Sequence, residues 1–348
     1  MEEKGKKGRM DYTLLLIVVL LVVIGLVILY STSAYNGQVK FHDSFYYLKK
    51  QAFATVLGIV LMLFVAGMDY HIWQRLAVFG YLAAVALSVA VMLFGREING
   101  SKRWLALGPF SFQPSEFAKV ALILFLADLV TKNVKTIGKM WTLCRIMFWI
   151  LPIVGLVGAS NLSTAIIILG IGVILIFVAS PKYAQFALMG IAGACFMGIF
   201  LALESYRLER LAIWRNPEKY EKGYQTLQGL YAIGSGGVFG VGIGNSVQKL
   251  GFVPEAQNDM IFSIICEELG LAGAGIIVFL FLLLIWRFFL IASGSRDLFG
   301  ALIATGAMAH MMIQVILNIA VCDEHNSEYG DYTSFYQLWR TSVIVSFN

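Results

Sequence analysis

Charge is what this chain has least of. Lys, Arg, Asp and Glu make up 14% of its 348 residues and hydrophobic residues 59%, whereas a soluble domain carries about a quarter charged residues. With a mean hydropathy of +0.78, that balance excludes a soluble globular protein and implies a polytopic membrane one. Cysteine is sparse as well. Cys144, Cys195, Cys266 and Cys322 have neither CxxC nor CxxH spacing, so no disulfide framework or structural metal site follows. A thiol inside a span is ordinarily a small apolar residue. The net charge of +5 is small and spread over loops, which gives no case for nucleic acid and leaves anionic lipid head groups as the better-matched partners. The glycine tract 234–244 lacks the Gly-Lys-Ser/Thr ending of a phosphate-binding loop. Neither an internal repeat nor the paired, interrupted spans of inverted-repeat transporters are present.

What the chain does have is apolar runs long enough to cross a bilayer, each needing about 20 residues. The pattern predicts an all-α protein with nine spans, at 12–30, 52–67, 76–94, 115–130, 143–157, 162–179, 183–203, 261–291 and 298–321. Lys4, Lys6, Lys7 and Arg9 resemble the start of a signal peptide. The apolar run behind them is too long and lacks a clean small-residue cleavage site, so it reads as an uncleaved first span behind a cytoplasmic tail, residues 1–11. The Lys and Arg residues of the short loops favour an inner N-terminus, although the longest loop is basic too. On that orientation two polar segments face outward, 95–114 and the much longer 204–260, which exceeds what a passive connector needs.

Three stretches carry candidate chemistry. In Asn99-Gly-Ser-Lys-Arg-Trp-Leu-Ala-Leu-Gly-Pro-Phe-Ser-Phe-Gln-Pro-Ser-Glu-Phe-Ala-Lys119, a turn-rich loop runs into the fourth span. Pro114 suits helix entry, and Ser115 and Glu116 suit its first turn. Glu116 and Lys119 are spaced to pair on one face. An ordinary ion pair at a helix start explains them as well as function does, but an ionisable group inside a span is costly enough to be a functional candidate. Lys102 and Arg103 beside Trp104 read either as an interfacial anchor or as a phosphate clamp. The tract Gly234-Ser-Gly-Gly-Val-Phe-Gly-Val-Gly-Ile-Gly244 reads as a flexible re-entrant segment whose glycines admit a close ligand. Lastly, Asp259 stands immediately before the eighth span, which soon contains Glu267 and Glu268. By its local sequence alone it is a helix cap before it is a catalyst.

Taken together, 100–119, Gly223-Tyr-Gln225 with Gln228 and Ala232-Ile-Gly-Ser-Gly-Gly237, Pro254-Glu255-Ala-Gln-Asn-Asp259 and Glu267-Glu-Leu-Gly270 resemble the SEDS family, the FtsW, RodA and SpoVE membrane glycosyltransferases of cell division, elongation and sporulation. Gly240-Val-Gly-Ile-Gly-Asn-Ser-Val-Gln-Lys249 is more similar to the FtsW and SpoVE branches. The resemblance implies a tenth span. It also implies polymerisation of lipid II onto a glycan carried by undecaprenyl pyrophosphate, in the bacterial inner membrane and at the division septum. Inversion at the donor sugar calls for a general base, which the resemblance places at Asp259. Arg103 and Lys119 become candidates for the pyrophosphate, with Lys102 weaker and Glu116 orienting Lys119. Gln113, Ser115, Gln225, Gln228 and Glu255 join them as substrate contacts. A divalent cation, Mg or Mn, is an expected aid to the leaving group. The implied partners are a class B penicillin-binding protein, a transpeptidase, and other division proteins. A lipid II flippase is the rival reading, and a non-enzymatic scaffold for the transpeptidase is the third.

The resemblance fails beyond Val321. The family leads one to expect a run like P-x-T-G-x-x-L-P-F-I-S-Y-G-G and then a tenth span, but 322–340 match neither. Back-translating 321–340 with permitted codons and removing one T at Val321 yields VVTNTIPNTGITLPFISYGG, after which frame returns at Thr341-Ser-Val. That implies a compensated double frameshift, in which case His325 and Asp331 have no functional reading.

Overall fold

The computed structural model describes residues 11–98, 101–107, 110–187, 190, 224–253, 256 and 260–322. Its helices are α1 (Tyr12–Phe41), α2 (Tyr46–Ala66), α3 (His71–Phe94), α4 (Pro114–Asn133), α5 (Met140–Gly158), α6 (Leu162–Ala179), α7 (Tyr224–Gly236), α8 (Ile261–Ser293) and α9 (Leu298–Cys322). Six of these are long and apolar enough to cross a membrane. α2 shows why the composition looks as it does: of its 21 residues only Thr55 and Gly58 are buried, and beyond Lys49 and Lys50 near its start its exposed large side chains are Phe, Val and Leu. Apolar surface that water would penalise is what lipid requires. Of the expected spans, 183–203 lies mostly outside the described residues, its helical start at 183–187 excepted.

Three sequence readings are corrected. The loop 95–114 contains a small antiparallel sheet, β1 (Arg96–Ile98), β2 (Ser101–Leu107) and β3 (Phe110–Phe112), in the order β1-β2-β3. Leu105 and Phe112, paired across β2 and β3, share one half-buried face of it, and the neighbouring Trp104 is half-buried on the other. The long segment 204–260 is not all loop, since it holds α7 and a 3₁₀ turn, Gln248–Leu250. The first span runs to Phe41 rather than 30, because the apolar pattern gives way to Ser and Thr while the helix continues. At about 1.5 Å per residue the 30-residue α1 is about 45 Å long, well beyond a hydrocarbon core of about 30 Å.

Two apolar cores organise the bundle. One surrounds α4 with α3, α5, α6 and α9 and contains Leu122, Leu126, Leu143, Ile146 and Ile171. The other lies between α1 and α8, around Leu21, Phe262 and Phe281. α9 packs against both α4 and α8 and joins the two. At its N-terminus α1 is tied to α8: Asp11 caps the helix by accepting from the Thr13 and Leu14 amides at 3.0 Å. The same carboxylate takes two hydrogen bonds from the Arg287 guanidinium at 2.8 and 2.7 Å, which holds it below the usual carboxylate range. Between α2 and α3, the Tyr70 hydroxyl donates to Asp297 at the start of α9. That bond, with burial, pushes the phenol up to about 12. Burial would raise Asp297, but hydrogen bonds from Tyr70 and the Gly300 amide outweigh it and lower the carboxyl.

The feature that shapes the end of the molecule where α7 and the glycine tract lie is a break in α8. Gly270 sits at φ 67, ψ −174 inside an otherwise helical run of 33 residues. A break strands carbonyls before it and amides after it, and in apolar surroundings each stranded group costs several kcal/mol. Here the glycine tract satisfies them. Val241 and Gly242 amides donate to the carbonyls of Glu267 and Glu268, and Leu271 and Ala272 amides donate to Gly237 and Val238 carbonyls, at 2.9 to 3.0 Å. The tract is therefore stitched to α8, and its reading as a flexible segment does not hold. Glycine is required because the two backbones touch. A Cβ at Gly240 would lie 2.2 Å from the Glu268 carbonyl oxygen, at a φ of +77. Gly240→Ala is expected to cost about 2 kcal/mol or more and to lower the detergent melting temperature by several degrees. Gly234→Ala, with open space around it, should leave melting unchanged.

Candidate functional site

α4 starts at Pro114 in its first turn with Glu116 next to it, where proline's fixed φ and missing amide cost nothing and an acidic group favours the helix dipole. One turn on, Lys119 is buried to 1% exposure, and its Nζ meets Glu116 Oε2 at 2.8 Å. The pairing expected from their spacing is present and closed on itself. Gln113 donates from Nε2 to Ser115 Oγ at 3.0 Å. Beside them, Arg103 on β2 donates from Nε to the Ser160 carbonyl at 3.3 Å. A cleft of about 280 Å³ lies here, lined by Arg103, Pro114, Ser115, Ser88, Ser160 and Asn161 among others. Of Lys102, the backbone is described: it pairs with Glu97 across β1 and β2.

A second cluster lies where the glycine tract, α8 and the end of α1 meet. Lys249, on the 3₁₀ turn, donates to Glu268 Oε1 at 2.6 Å and to Ser31 Oγ at 3.0 Å. The Ser31 hydroxyl lies within 2.8 Å of both Glu268 oxygens. Glu267 accepts from the Ser246 hydroxyl and, at 3.0 Å, from the Val247 amide. All five of Ser31, Ser246, Lys249, Glu267 and Glu268 are buried. The sequence reading missed this cluster. Its signal was two adjacent glutamates in an apolar run, which demand a counter-charge, and Lys249 is a charge close by in the chain.

Asp259 and Glu255 lie outside the described residues. Their surroundings are partly visible: Val253, Ala256 and Met260 pack with Ile264 into a small core. The N-cap position of α8 falls on Met260, whose side chain makes no capping hydrogen bond, and Asp259 precedes it by one residue. Gln228 is half-buried on α7, and Gln225 is in that helix's first turn. The described site residues thus form one group around Arg103, Gln113, Ser115, Glu116 and Lys119, while Gln225 and Gln228 lie apart from it in sequence on α7. α9 lies between α4 and α8, and its buried His310 is within electrostatic reach of Lys119. At the opposite end of α4, the buried Asp128 accepts from Gln74 at 3.0 Å and from the exposed Lys132 at 2.6 Å, a polar contact that the sequence reading passed over.

The sequence family described as "Cell cycle protein", comprising FtsW, RodA and SpoVE, matches residues 12–323. The chain belongs to this family. Stage V sporulation protein E of Bacillus subtilis is 38% identical over 329 residues, covering 91% of this chain and 88% of that protein. A probable peptidoglycan glycosyltransferase FtsW of Trichlorobacter lovleyi is 34% identical over 342 residues, covering 97% and 90%. Among solved structures, a chain from a study of how a peptidoglycan synthase complex coordinates polymerization and crosslinking superposes with a TM-score of 0.78 at 26% identity, covering 97% of this chain and 94% of that one. RodA of Thermus thermophilus shares the fold at a TM-score of 0.66 and 24% identity, covering 97% and 93%. The FtsW/RodA/SpoVE fold accordingly makes this a multi-pass membrane protein.

Within that fold the Glu116–Lys119 pair is open to a direct test. Glu116→Gln leaves a buried cation without its partner and should cost about 3–5 kcal/mol. The double variant Glu116→Gln/Lys119→Met removes both charges and should recover most of the loss. Melting of the purified variants in detergent checks both expectations.

Proposed function

We propose that this chain is an inverting peptidoglycan glycosyltransferase that polymerises lipid II into β-1,4-linked glycan strands. The observation that carries this reading is family membership across 12–323, with relatives of matching length named as peptidoglycan glycosyltransferases. In the reaction, the GlcNAc 4-hydroxyl of the acceptor attacks C1 of the donor MurNAc from the face opposite its α-linked undecaprenyl pyrophosphate. The new C–O bond forms as the bond to pyrophosphate breaks, and Asp259 takes the hydroxyl proton as general base. The departing pyrophosphate gains negative charge, which Arg103 can meet with two parallel hydrogen bonds once it leaves the Ser160 carbonyl. Lys102 adds charge beside it. Glu116 holds Lys119 in place, and Gln113, Ser115, Gln225, Gln228 and Glu255 supply substrate contacts. A divalent cation, Mg or Mn, would add positive charge at the departing pyrophosphate; among the described residues no group of three or more His, Cys, Asp or Glu could hold one.

The similarity to a chain of a peptidoglycan synthase complex supports a class B penicillin-binding protein as partner. The same reading places the protein in the inner membrane with a cytoplasmic N-terminus, 204–260 outside, and its work at a division or sporulation septum. The rival, a lipid II transporter, would draw on a broken span such as α8, since freed backbone groups at midplane commonly bind ions. Against it, the carbonyls of Glu267 and Glu268 and the amides of Leu271 and Ala272 are all taken by the glycine tract.

Asp259→Asn and Asp259→Ala are expected to abolish polymerisation of purified lipid II by the reconstituted protein while membrane insertion is unchanged. Appreciable glycan from either variant would remove Asp259 as the base. The segment 322–340, outside the described residues from 323 on, is proposed to be read out of frame, and the family match stops at 323, close to the point of departure. Resequencing the gene is expected to find one extra base near Cys322 and one missing near Arg340; a confirmed reading of the present residues disproves it.

A further inference from the structure

We propose that Lys249, Glu268 and Ser31 form a buried positioning triad that clamps the segment carrying Asp259 between the first helix and α8. The proposal rests on the reading of Asp259 as the general base. Lys249 precedes that residue by ten positions and Glu268 follows it by nine. The 2.6 Å bond between them therefore closes a loop whose ends are fixed on either side of the base. Ser31 adds the third element. Its single hydroxyl proton goes to Glu268 and its lone pair accepts from Lys249 Nζ, so the outer end of α1, 218 residues away from Lys249, becomes part of the clamp. The adjacent Glu267 fixes the same turn from its other side through Ser246 and the Val247 amide. Beneath the loop, Val253, Ala256, Met260 and Ile264 give it an apolar floor.

Stability alone does not explain these charges. Lys249 and Glu268 have side chains exposed to only 7% and 2%, and burying each ion costs several kcal/mol that pairing barely repays. Apolar residues of similar volume would serve an inert contact at least as well. What an ion pair with a shared hydroxyl supplies is a fixed geometry, because both partners lose heavily if they part. A general base requires that, since a misplacement of about 1 Å can cost about a hundredfold in rate. With its ammonium held by Glu268 and Ser31, Lys249 has no role on substrate here and acts through the segment it anchors.

The test uses the full-length protein in three forms besides wild type: Lys249→Met/Glu268→Gln, Ser31→Ala, and Asp259→Asn. The double variant leaves no unpaired charge, so its melting temperature should stay close to wild type. Its kcat for polymerising purified lipid II should fall about tenfold or more, with KM changed less than about twofold. Amide hydrogen exchange over 250–260 should quicken about tenfold, a readout that needs no activity. Ser31→Ala should produce a smaller loss in the same direction, and it decides the matter if the double variant does not fold. Unchanged exchange over 250–260, or wild-type kcat, in whichever of these variants folds overturns the triad. Activity retained by Asp259→Asn overturns the base assignment instead, and the exchange measurement then still decides whether the clamp exists.

Discussion

Backbone hydrogen bonding in an apolar surrounding is the constraint on which the rest of this molecule depends. α8 breaks at Gly270, and each peptide group freed there must find a partner inside the protein, because lipid offers none. The partner is the stretch from Gly237 to Gly242, laid against the break so closely that a Cβ on either side would collide. Once that stretch is pinned, the 3₁₀ turn that follows it is pinned too, and Lys249 is delivered to Glu268. The local rule that permits only glycine at Gly240 and Gly270 thereby decides where an ion pair forms, between Lys249, nine residues after Gly240, and Glu268, two before Gly270.

The second organising element is the polar ends of helices that otherwise face hydrocarbon. α4 carries Glu116 and Lys119 at one end and Asp128 and Lys132 at the other. These charges keep it out of the set of six strongly apolar spans, yet it is the most enclosed helix of the larger core. Its surroundings account for this: helices α3, α5, α6 and α9 shield it from lipid, so it need not be apolar throughout. Together with the Arg103 cleft at its start, it gives the bundle a polar mouth beside a hydrophobic exterior.

The legible part of the fold came from hydropathy and from short motifs. Seven of the nine spans expected from apolar runs coincide with helices described from end to end, with ends shifted by a few residues, while α1 continues beyond its expected end and 183–203 is described only at its start. Glu116 and Lys119 were readable as a pair because helical spacing alone brings them to one face. The small sheet at 96–112 was not readable as strands, since Asn, Gly and Pro between its short pieces dominate the pattern. Nor was the clamp at Lys249. Its three members come from chain positions 31, 249 and 268, and no periodicity links them.

Sequence by itself determined the class of environment, the helix positions and the family, because each rests on composition or on contiguous motifs. Tertiary structure decided which charges neutralise one another and how the glycine tract is held. Those outcomes depend on distances between segments far apart in the chain, and in a membrane interior the penalty for an unpaired charge or peptide group makes such pairings obligatory.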